Sequence, residues 1–161
     1  METAVAMVGE REDVESVYRR DAGRLWRALY AFGGDTEIAS DAVAEAYAQL
    51  IGRGAAVTDP AAWTWRAAFR ICAGALKNRR ALAPTPTPVT TDHTDRYSDP
   101  DLLAALARLP EGQRAAVVLF YYADLPVGEI AHRLGSNRIA VRANLSRGRS
   151  RLRQLLGDDN E

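Results

Sequence analysis

Residues 127–156 read VGEIAHRLGSNRIAVRANLSRGRSRLRQLL, in which a glycine-containing turn separates two helical segments. Apolar residues at helical spacing predict a short helix over Val127–Leu134, and Gly135, Ser136 and Asn137 interrupt it. Two helices joined by a turn of about three or four residues with a glycine are typical of a helix-turn-helix. The pattern therefore predicts a DNA-binding motif whose second helix enters the major groove.

The second helix of this motif carries a local excess of positive charge. Seven arginines and no acidic residue lie between Ile130 and Gly157, whereas the whole chain has 21 basic and 21 acidic residues. A basic helix alone is also typical of a solvated helix at the end of an ordinary bundle. The turn in front of it favours DNA binding over that alternative.

Helical geometry divides the side chains of this helix between two roles. At about 100° per residue, one apolar stripe is expected to pack on the rest of the domain. The stripe comprises Val141, Leu145, Gly148, Leu152 and Leu156. Because the major groove is only about 12 Å wide, residues near the helix start are expected at base edges and later arginines at phosphates. Ser136 or Asn137 is expected to cap the helix. The candidate DNA-binding residues are Ser136, Asn137, Arg138, Arg142, Asn144, Arg147 and Arg149.

Composition limits the classes of protein to consider. With 161 residues, 47% of them apolar, the chain can bury one core or two small ones. The single cysteine, Cys72, excludes an intramolecular disulfide and is expected in the core of a protein from a reducing compartment. No apolar run is long enough for a membrane span and the N-terminus soon turns acidic, so we expect a cytoplasmic protein without membrane insertion.

A change in composition at Ala83 predicts two domains. Residues 83–100 contain four prolines and five threonines but almost no large apolar side chain. We therefore expect a flexible linker over residues 83–98 between a domain of residues 1–82 and a domain of residues 99–161. At roughly 3.1 Å per residue, such a linker spans up to about 50 Å, which lets both domains reach separate sites on one duplex. A long surface loop within a single domain is the alternative.

Outside the linker the sequence predicts an all-α fold. Amphipathic spacing predicts helices over Asp13–Phe32, Thr36–Ile51 and Pro60–Arg80 in the first domain. In the second domain, Asp99-Pro100, Leu109-Pro110 and Leu125-Pro126 each mark a helix start, because proline is favoured in the first turn.

The third of these helices combines aromatic and basic side chains. Bases of single-stranded DNA stack on aromatic rings, at about 1–3 kcal/mol for each base, while basic groups neutralise the phosphates. The alternative is that both tryptophans belong to the core and that the basic groups form a solvated helix end. The candidate residues are Trp63, Trp65, Arg66, Arg70, Lys77, Arg79 and Arg80.

Over about residues 12–156 the chain resembles sigma factors of the sigma-70 family, in the small two-domain group called ECF (extracytoplasmic function). GGDTEIASDAVAEAYAQL is similar to the family's segment that binds core RNA polymerase, with Asp41, Glu45 and Tyr47 at matching positions. PAAWTWRAAFRICAGALKNRR is similar to the segment that melts the −10 promoter element. LARLPEGQRAAVVLFYYADLPVGEIAHRLG is similar to the −35-binding domain, including Arg114 and the Tyr121-Tyr122 pair.

The resemblance implies a region 2-like helical bundle followed by a region 4-like helix-turn-helix domain. It also implies that core RNA polymerase, promoter DNA and an anti-sigma factor are partners. A helix-turn-helix regulator with a response-regulator-like C-terminal domain, which is not a polymerase subunit, is the alternative. We expect no catalytic residue, metal or cofactor, because His93 and His132 are too scattered for a metal site with Cys72 and no phosphate-binding or nucleophile motif occurs.

The chain departs from the family pattern at two places. The family often has Asn and Asp where this chain has Arg70 and Gly74. The usual Thr-Val-Lys-Ser-Arg of the recognition helix is replaced by residues 140–144, AVRAN, so that Asn144 lacks a positive charge. These departures bear on promoter sequence and melting rather than on the fold.

Overall fold

The computed structural model describes residues 12–82 and 99–158, and all regular structure in these ranges is helical. The all-α prediction is therefore confirmed. The linker predicted over residues 83–98 lies outside the described residues, so the proposed domain boundaries stay a prediction. The helices are α1 (Val14–Gly33), α2 (Thr36–Arg53), α3 (Pro60–Leu82), α4 (Pro100–Ala107), α5 (Glu111–Tyr121), α6 (Val127–Leu134) and α7 (Arg138–Asp158), with a short 3₁₀ turn at Gly54–Ala56.

Most helices begin where the sequence offers a capping side chain. The backbone N–H groups of the first helical turn have no acceptor within the helix. A carboxylate or amide oxygen just before the helix accepts a hydrogen bond from one of them. For α7 the cap is Asn137, whose Oδ1 lies 2.9 Å from the Ala140 nitrogen. The corresponding caps of α1, α2, α3 and α4 are Asp13, Asp35, Asp59 and Asp99.

Helices α1, α2 and α3 pack around a core of large and small side chains. Leu25, Leu29, Leu50 and Trp65 are fully buried, and several buried alanines allow the helices to approach one another. Cys72 lies in this core as expected, and burial raises the pKa of its thiol to about 12. The cysteine is thus a small apolar core residue.

Helices α4 to α7 pack around a second group of buried residues. Val141, Leu145 and Gly148 of α7 face inward as predicted, but Leu155 rather than Leu156 is the buried leucine at the helix end. Fourteen helical steps from Val141 bring a side chain within about 40° of its direction, whereas fifteen leave it about 60° away. The helical period therefore favours Leu155.

The two groups of helices are in contact. α1 packs against α4 and α5, α3 packs against α6, and buried residues of both groups form a continuous apolar cluster. This arrangement places the first helix of the helix-turn-helix, α6, over part of α3. Within the described ranges, no helix has the length and apolarity to cross a membrane.

Candidate nucleic-acid interface

The predicted turn between α6 and α7 is tight because of one glycine. Gly135 has a φ of 65°, a left-handed conformation that suits a residue without a Cβ atom. The next backbone N–H, that of Ser136, donates to the Ala131 carbonyl at 2.8 Å, which closes the end of α6. Asn137 then caps α7, so the two helices form a helix-turn-helix.

The start of α7 presents an exposed surface. Four of the predicted DNA-binding residues are exposed here: Ser136, Asn137, Arg138 and Arg142. Ile139, which is not among the residues predicted from the sequence, is 80% exposed. Helical periodicity could have predicted this exposure, because Ile139 lies roughly opposite the buried stripe that contains Val141 and Leu145.

Two other predicted residues of α7 face the protein. The Arg149 Nε donates to the Tyr121 hydroxyl at 2.7 Å, and its guanidinium lies over the Phe120 and Tyr121 rings. The Asn144 amide lies 3.4 Å from the position that a Cβ on Gly112 would occupy. Both side chains therefore hold α7 against α5, while Arg147 is exposed.

A second basic surface runs along α3. The exposed residues Arg66, Arg70, Lys77 and Arg80 are separated by four, seven and three positions, which places them on one face of the helix. The first three of these line a cavity of about 450 Å³ between α3 and helices α5 and α6, together with Phe32, Phe69, Ala73, Gly74, Glu111, Ala115 and Leu134. The cavity is therefore lined by much of the predicted −10 surface, and also by Arg70 and Gly74, the two residues of α3 that depart from the family pattern.

The aromatic residues of α3 divide between two environments. Trp65 is 1% exposed, and its Nε1 donates to Asp21 Oδ2 at 3.1 Å. Its ring lies in the core, so it cannot stack on a base in this arrangement. Of the two possibilities for this residue, the core position is therefore the one that the structure shows. Trp63 is half-buried beside the basic surface, with the Arg53 guanidinium 5.4 Å from its ring centre.

Arg79 also differs from its neighbours on α3. Its guanidinium forms an ion pair with Asp35, the residue that caps α2, and it points away from the basic surface. Arg79 thus connects the end of α3 to the start of α2. The surface available for nucleic acid on α3 consists of Arg66, Arg70, Lys77 and Arg80, with Trp63 at its edge.

A buried carboxylate joins three helices. Asp21 is fully buried on α1, where Trp65 of α3 and the arginines Arg20, Arg24 and Arg133 surround it. Burial opposes ionisation, but the hydrogen bonds from Arg20 and Trp65 and the nearby charges outweigh it, so the pKa of Asp21 lies below its usual value. An acidic residue at a core position of α1 was the sequence signal for this cluster.

Arg133 of α6 makes the contact from the second group of helices. Its guanidinium lies 3.7 Å from Asp21 Oδ2 and 4.8 Å from the centre of the Trp65 ring. Only 11% of its side chain is exposed. Arg133 therefore places positive charge in the contact between the two groups of helices rather than on the DNA-facing surface.

Two further arginines connect the groups by capping helix ends. Arg66 of α3 donates to the His132 carbonyl in the last turn of α6 at 2.9 Å. The buried Arg114 of α5 donates to the Phe32 carbonyl in the last turn of α1 at 3.1 Å. Carbonyls at helix C-termini lack partners within the helix and carry partial negative charge, so a guanidinium stabilises them. Each group of helices thus caps a helix of the other.

A hydrogen bond between side chains accompanies the Arg66 contact. His132 Nε2 lies 2.7 Å from Asp59 Oδ2. Partial burial opposes ionisation of Asp59, but the hydrogen bonds from His132 and the Ala62 N–H outweigh it, and the pKa of Asp59 is lowered. Asp59 therefore caps α3 and binds α6 at the same time.

The residues predicted to contact polymerase do not share one surface. Asp41 and Glu45 are exposed on the same face of α2. Tyr47 is buried, its hydroxyl lies 3.5 Å from the Val17 carbonyl, and its ring packs edge-on against Tyr18. Tyr47 therefore holds α2 against α1, which differs from the expected direct contact. Within residues 12–82 and 99–158, no group of three side chains suitable for a metal occurs.

The fold and these surfaces define a helical DNA-binding protein of the helix-turn-helix type. The family model for sigma-70 region 4 matches residues 100–152, which include α4, α5, α6 and most of α7. Over 161 aligned positions, the chain is 29% identical to the ECF RNA polymerase sigma factor SigM of Mycobacterium tuberculosis, covering 96% of this chain and 82% of that protein. It is also 29% identical to SigE of Mycolicibacterium smegmatis, an ECF RNA polymerase sigma factor, over 88% of this chain and 61% of that protein.

Solved structures share this fold over about nine-tenths of the chain. The sigma factor RpoE of Bartonella quintana, in complex with the anti-sigma factor NepR, aligns with a TM-score of 0.72 and 17% identity over 89% of this chain and 96% of that one. CnrH, in complex with the cytosolic domain of CnrY, aligns with a TM-score of 0.72 and 23% identity over 91% of this chain and 88% of that one. Residues 100–152 thus match the sigma-70 region 4 family, and the chain as a whole is similar to ECF RNA polymerase sigma factors.

Proposed function

We propose that the chain acts as an ECF sigma factor that binds core RNA polymerase, recognises the −35 and −10 promoter elements and promotes promoter opening. The observation that carries this proposal is a helix-turn-helix with an exposed basic helix, joined in one chain to a second basic surface on α3. The function is one of binding, and we assign no catalytic step to the chain.

At the −35 element, α7 would enter the major groove with its N-terminal end. Asn137, Arg138 and Arg142 would reach base edges, because they lie exposed at the start of the helix. Arg147, Arg151 and Arg153, further along the exposed surface, would contact phosphates and position the helix. Arg149 and Asn144 would support α7 from the α5 side.

At the −10 element, the basic surface of α3 would hold a separated strand. Arg66, Arg70, Lys77 and Arg80 would neutralise consecutive phosphates, and Trp63 lies close enough to this surface to stack on an unpaired base. Extrusion of a base costs a few kcal/mol, which stacking on the protein offsets. Trp65 would keep α3 in position from the core.

Binding to polymerase would use the exposed face of α2. Asp41 and Glu45 offer two carboxylates one helical turn apart, and Tyr47 fixes the helix from the opposite side. A partner surface with basic groups would complement this pair. Because this surface lies away from the α3 to α6 contact, the polymerase could bind α2 first.

The contact between α3 and α6 implies a conformational step. Arg66 is bound to the His132 carbonyl, and Arg70 and Lys77 line the cavity beside Leu134 of α6, so this part of the basic surface faces α6. We propose that the two groups of helices separate when polymerase and promoter bind. One structural neighbour, RpoE, is a sigma factor solved with the anti-sigma factor NepR, and we propose that such a partner, acting in the cytoplasm, would restrain the separation.

Run-off transcription with purified core polymerase tests the proposed function. Templates are first selected from genomic DNA by binding to the assembled polymerase, and full-length chain is then compared with no added chain. We expect transcripts only when the chain is present. Specific duplex binding by the chain together with an inactive polymerase on every selected template would favour the regulator alternative.

A charge-reversal variant tests the polymerase surface. The double variant Asp41→Lys, Glu45→Lys is expected to weaken binding to core polymerase by about thirtyfold or more, which corresponds to about 2 kcal/mol or more for disrupted charge complementarity. Asp101→Lys, at an exposed acidic position of α4, is the matched control. Equal co-purification of all variants would assign polymerase binding to another surface.

A further inference from the structure

Ile139 is an apolar side chain exposed on a basic helix. It is the second residue of α7 and is 80% exposed, although Val141 and Leu145 on the same helix are buried. Its exposed neighbours in the first turns, Arg138 and Arg142, are charged. Packing among the residues that the structure describes therefore does not account for an isoleucine at this position.

The surroundings of Ile139 indicate what it faces. At about 100° per residue, Ile139 shares its side of α7 with Ala143 and Ser146, roughly opposite the buried stripe. Arginines flank this central face on both sides. They are Arg142 and Arg153 on one side and Arg147 and Arg151 on the other.

This distribution of charge matches the walls and floor of a major groove. Phosphates of the two strands border the groove, so the flanking arginines would face them while the central face approaches the bases. Alanine and serine on that face are small and permit a close approach. Ile139 is then the side chain on this face with the apolar volume to contact a base edge.

The major groove offers one apolar group to such a side chain. Thymine carries a C5-methyl group, whereas the other base edges expose hydrogen-bond donors and acceptors that an isoleucine would leave unsatisfied. We propose that Ile139 contacts the C5-methyl of one thymine in the −35 element and selects T·A at that position. The inference rests on the proposed −35 binding by α7.

The test uses full-length chain assembled with core polymerase and a duplex library randomised over the −35 element. We compare the wild type with Ile139→Ala, which removes the apolar contact, and with Ile139→Val, which retains most of it. Because Ile139 is exposed and alanine has the higher helix propensity, Ile139→Ala should fold. The wild type and Ile139→Val should enrich thymine at one position, and Ile139→Ala should not.

Deoxyuridine then isolates the methyl group. Replacing that thymine by deoxyuridine removes the C5-methyl and leaves base pairing unchanged. The affinity of the wild type for the duplex should fall roughly fourfold, because the burial of about one methyl group is lost. Ile139→Ala should bind both duplexes equally, whereas the control Arg142→Ala should bind both more weakly and keep the preference for thymine.

The outcomes separate the inference from the proposed function. If the wild type binds a selected −35 sequence but tolerates deoxyuridine at every thymine, or if Ile139→Ala enriches the same sequence as the wild type, methyl recognition is excluded and −35 binding stands. If no −35 sequence is selected at all, the proposed function fails. Loss of polymerase association in Ile139→Ala would instead assign this side chain to a protein contact.

Discussion

At the scale of single residues, glycines in helix interiors have opposite roles in the two groups of helices. Gly148 of α7 lies against α5, and a Cβ atom there would stand 2.7 Å from Val117 Cγ2 and 3.4 Å from the Gln113 carbonyl oxygen. Gly23 of α1 is exposed, and a Cβ atom there would meet nothing within 4 Å. The close approach of α5 and α7 thus requires glycine, whereas α1 does not.

Gly148→Ala is therefore expected to destabilise the chain, although alanine favours helices. The gain in helix propensity is about 1 kcal/mol, and overpacking against Val117 costs about 1–3 kcal/mol. Gly23→Ala, the matched control, is expected to stabilise by up to about 1 kcal/mol. Urea unfolding of both variants measures the difference, and equal stabilisation by both would show that α5 and α7 are not in close contact.

The buried carboxylate of Asp21 predicts a dependence of stability on pH. Its pKa in the folded chain lies below the value of about 3.9 for an unperturbed aspartate. The resulting stabilisation is present above that value and is lost as the pH falls through the folded pKa. Asp21→Asn should lower the free energy of unfolding at pH 7 by about 3 kcal/mol or more, because it leaves arginines without their buried partner.

Unfolding by urea between pH 7 and pH 3 checks this prediction. The wild type should lose stability on acidification below about pH 4, and Asp21→Asn should show a shallower loss. Glu15→Gln is the control, since the Glu15 pair with Arg19 is exposed and contributes little. Identical pH profiles for the wild type and Asp21→Asn would contradict the assignment.

At the scale of helices, the sequence predicted more about boundaries than about which aromatic side chains are buried. Helix starts followed from aspartate, asparagine and proline, because capping is a local interaction. Spacing with Phe69 and Cys72 indicates the core for Trp65, whereas the basic residues beside both tryptophans also fit base stacking. Two residues apart on a helix, their side chains point about 200° apart, so one enters the core and the other does not. The same geometry separates Tyr47 from Glu45 on α2.

The two tryptophans of α3 should therefore respond differently to substitution. Trp65→Ala should destabilise the chain by about 3–5 kcal/mol, as for other large aromatic core residues. Trp63→Ala should destabilise the chain less than Trp65→Ala, since Trp63 is half-buried at the edge of the core. It should reduce promoter opening by about fivefold or more if the ring stacks on a base. Urea unfolding and permanganate reactivity of unpaired thymines measure the two effects. If promoters open normally with the Trp63→Ala variant, stacking of a base on Trp63 is contradicted.

At the scale of the whole molecule, the contacts between the two groups of helices could not be predicted from the sequence. Arg66 with His132 and Arg114 with Phe32 join residues that are 66 and 82 positions apart. Neither pair is marked by a motif, because a backbone carbonyl accepts the hydrogen bond and every residue has one. Apolar periodicity predicted each group of helices but carried no information about how one group lies on the other.

Arg133→Ala is expected to separate the two groups of helices. The substitution removes the guanidinium that contacts Asp21 and Trp65 from α6, and within α6 it removes only the ion pair of Arg133 with the exposed Glu129. Small-angle scattering of the compact wild type should give a radius of gyration of about 15 Å, and the variant should give a larger value. Arg151→Ala, at an exposed position of α7, is the control and should stay compact.

Polymerase affinity distinguishes separation of the two groups from general loss of structure in Arg133→Ala. If only the separated form binds polymerase fully, a variant that populates this form more should bind more tightly, in proportion to the increase in its population. If the substitution simply unfolded α6, helix content by circular dichroism would fall and polymerase binding would weaken with it. An unchanged radius of gyration with unchanged affinity would mean that Arg133 does not hold the two groups together, and the proposed conformational step would then need another origin.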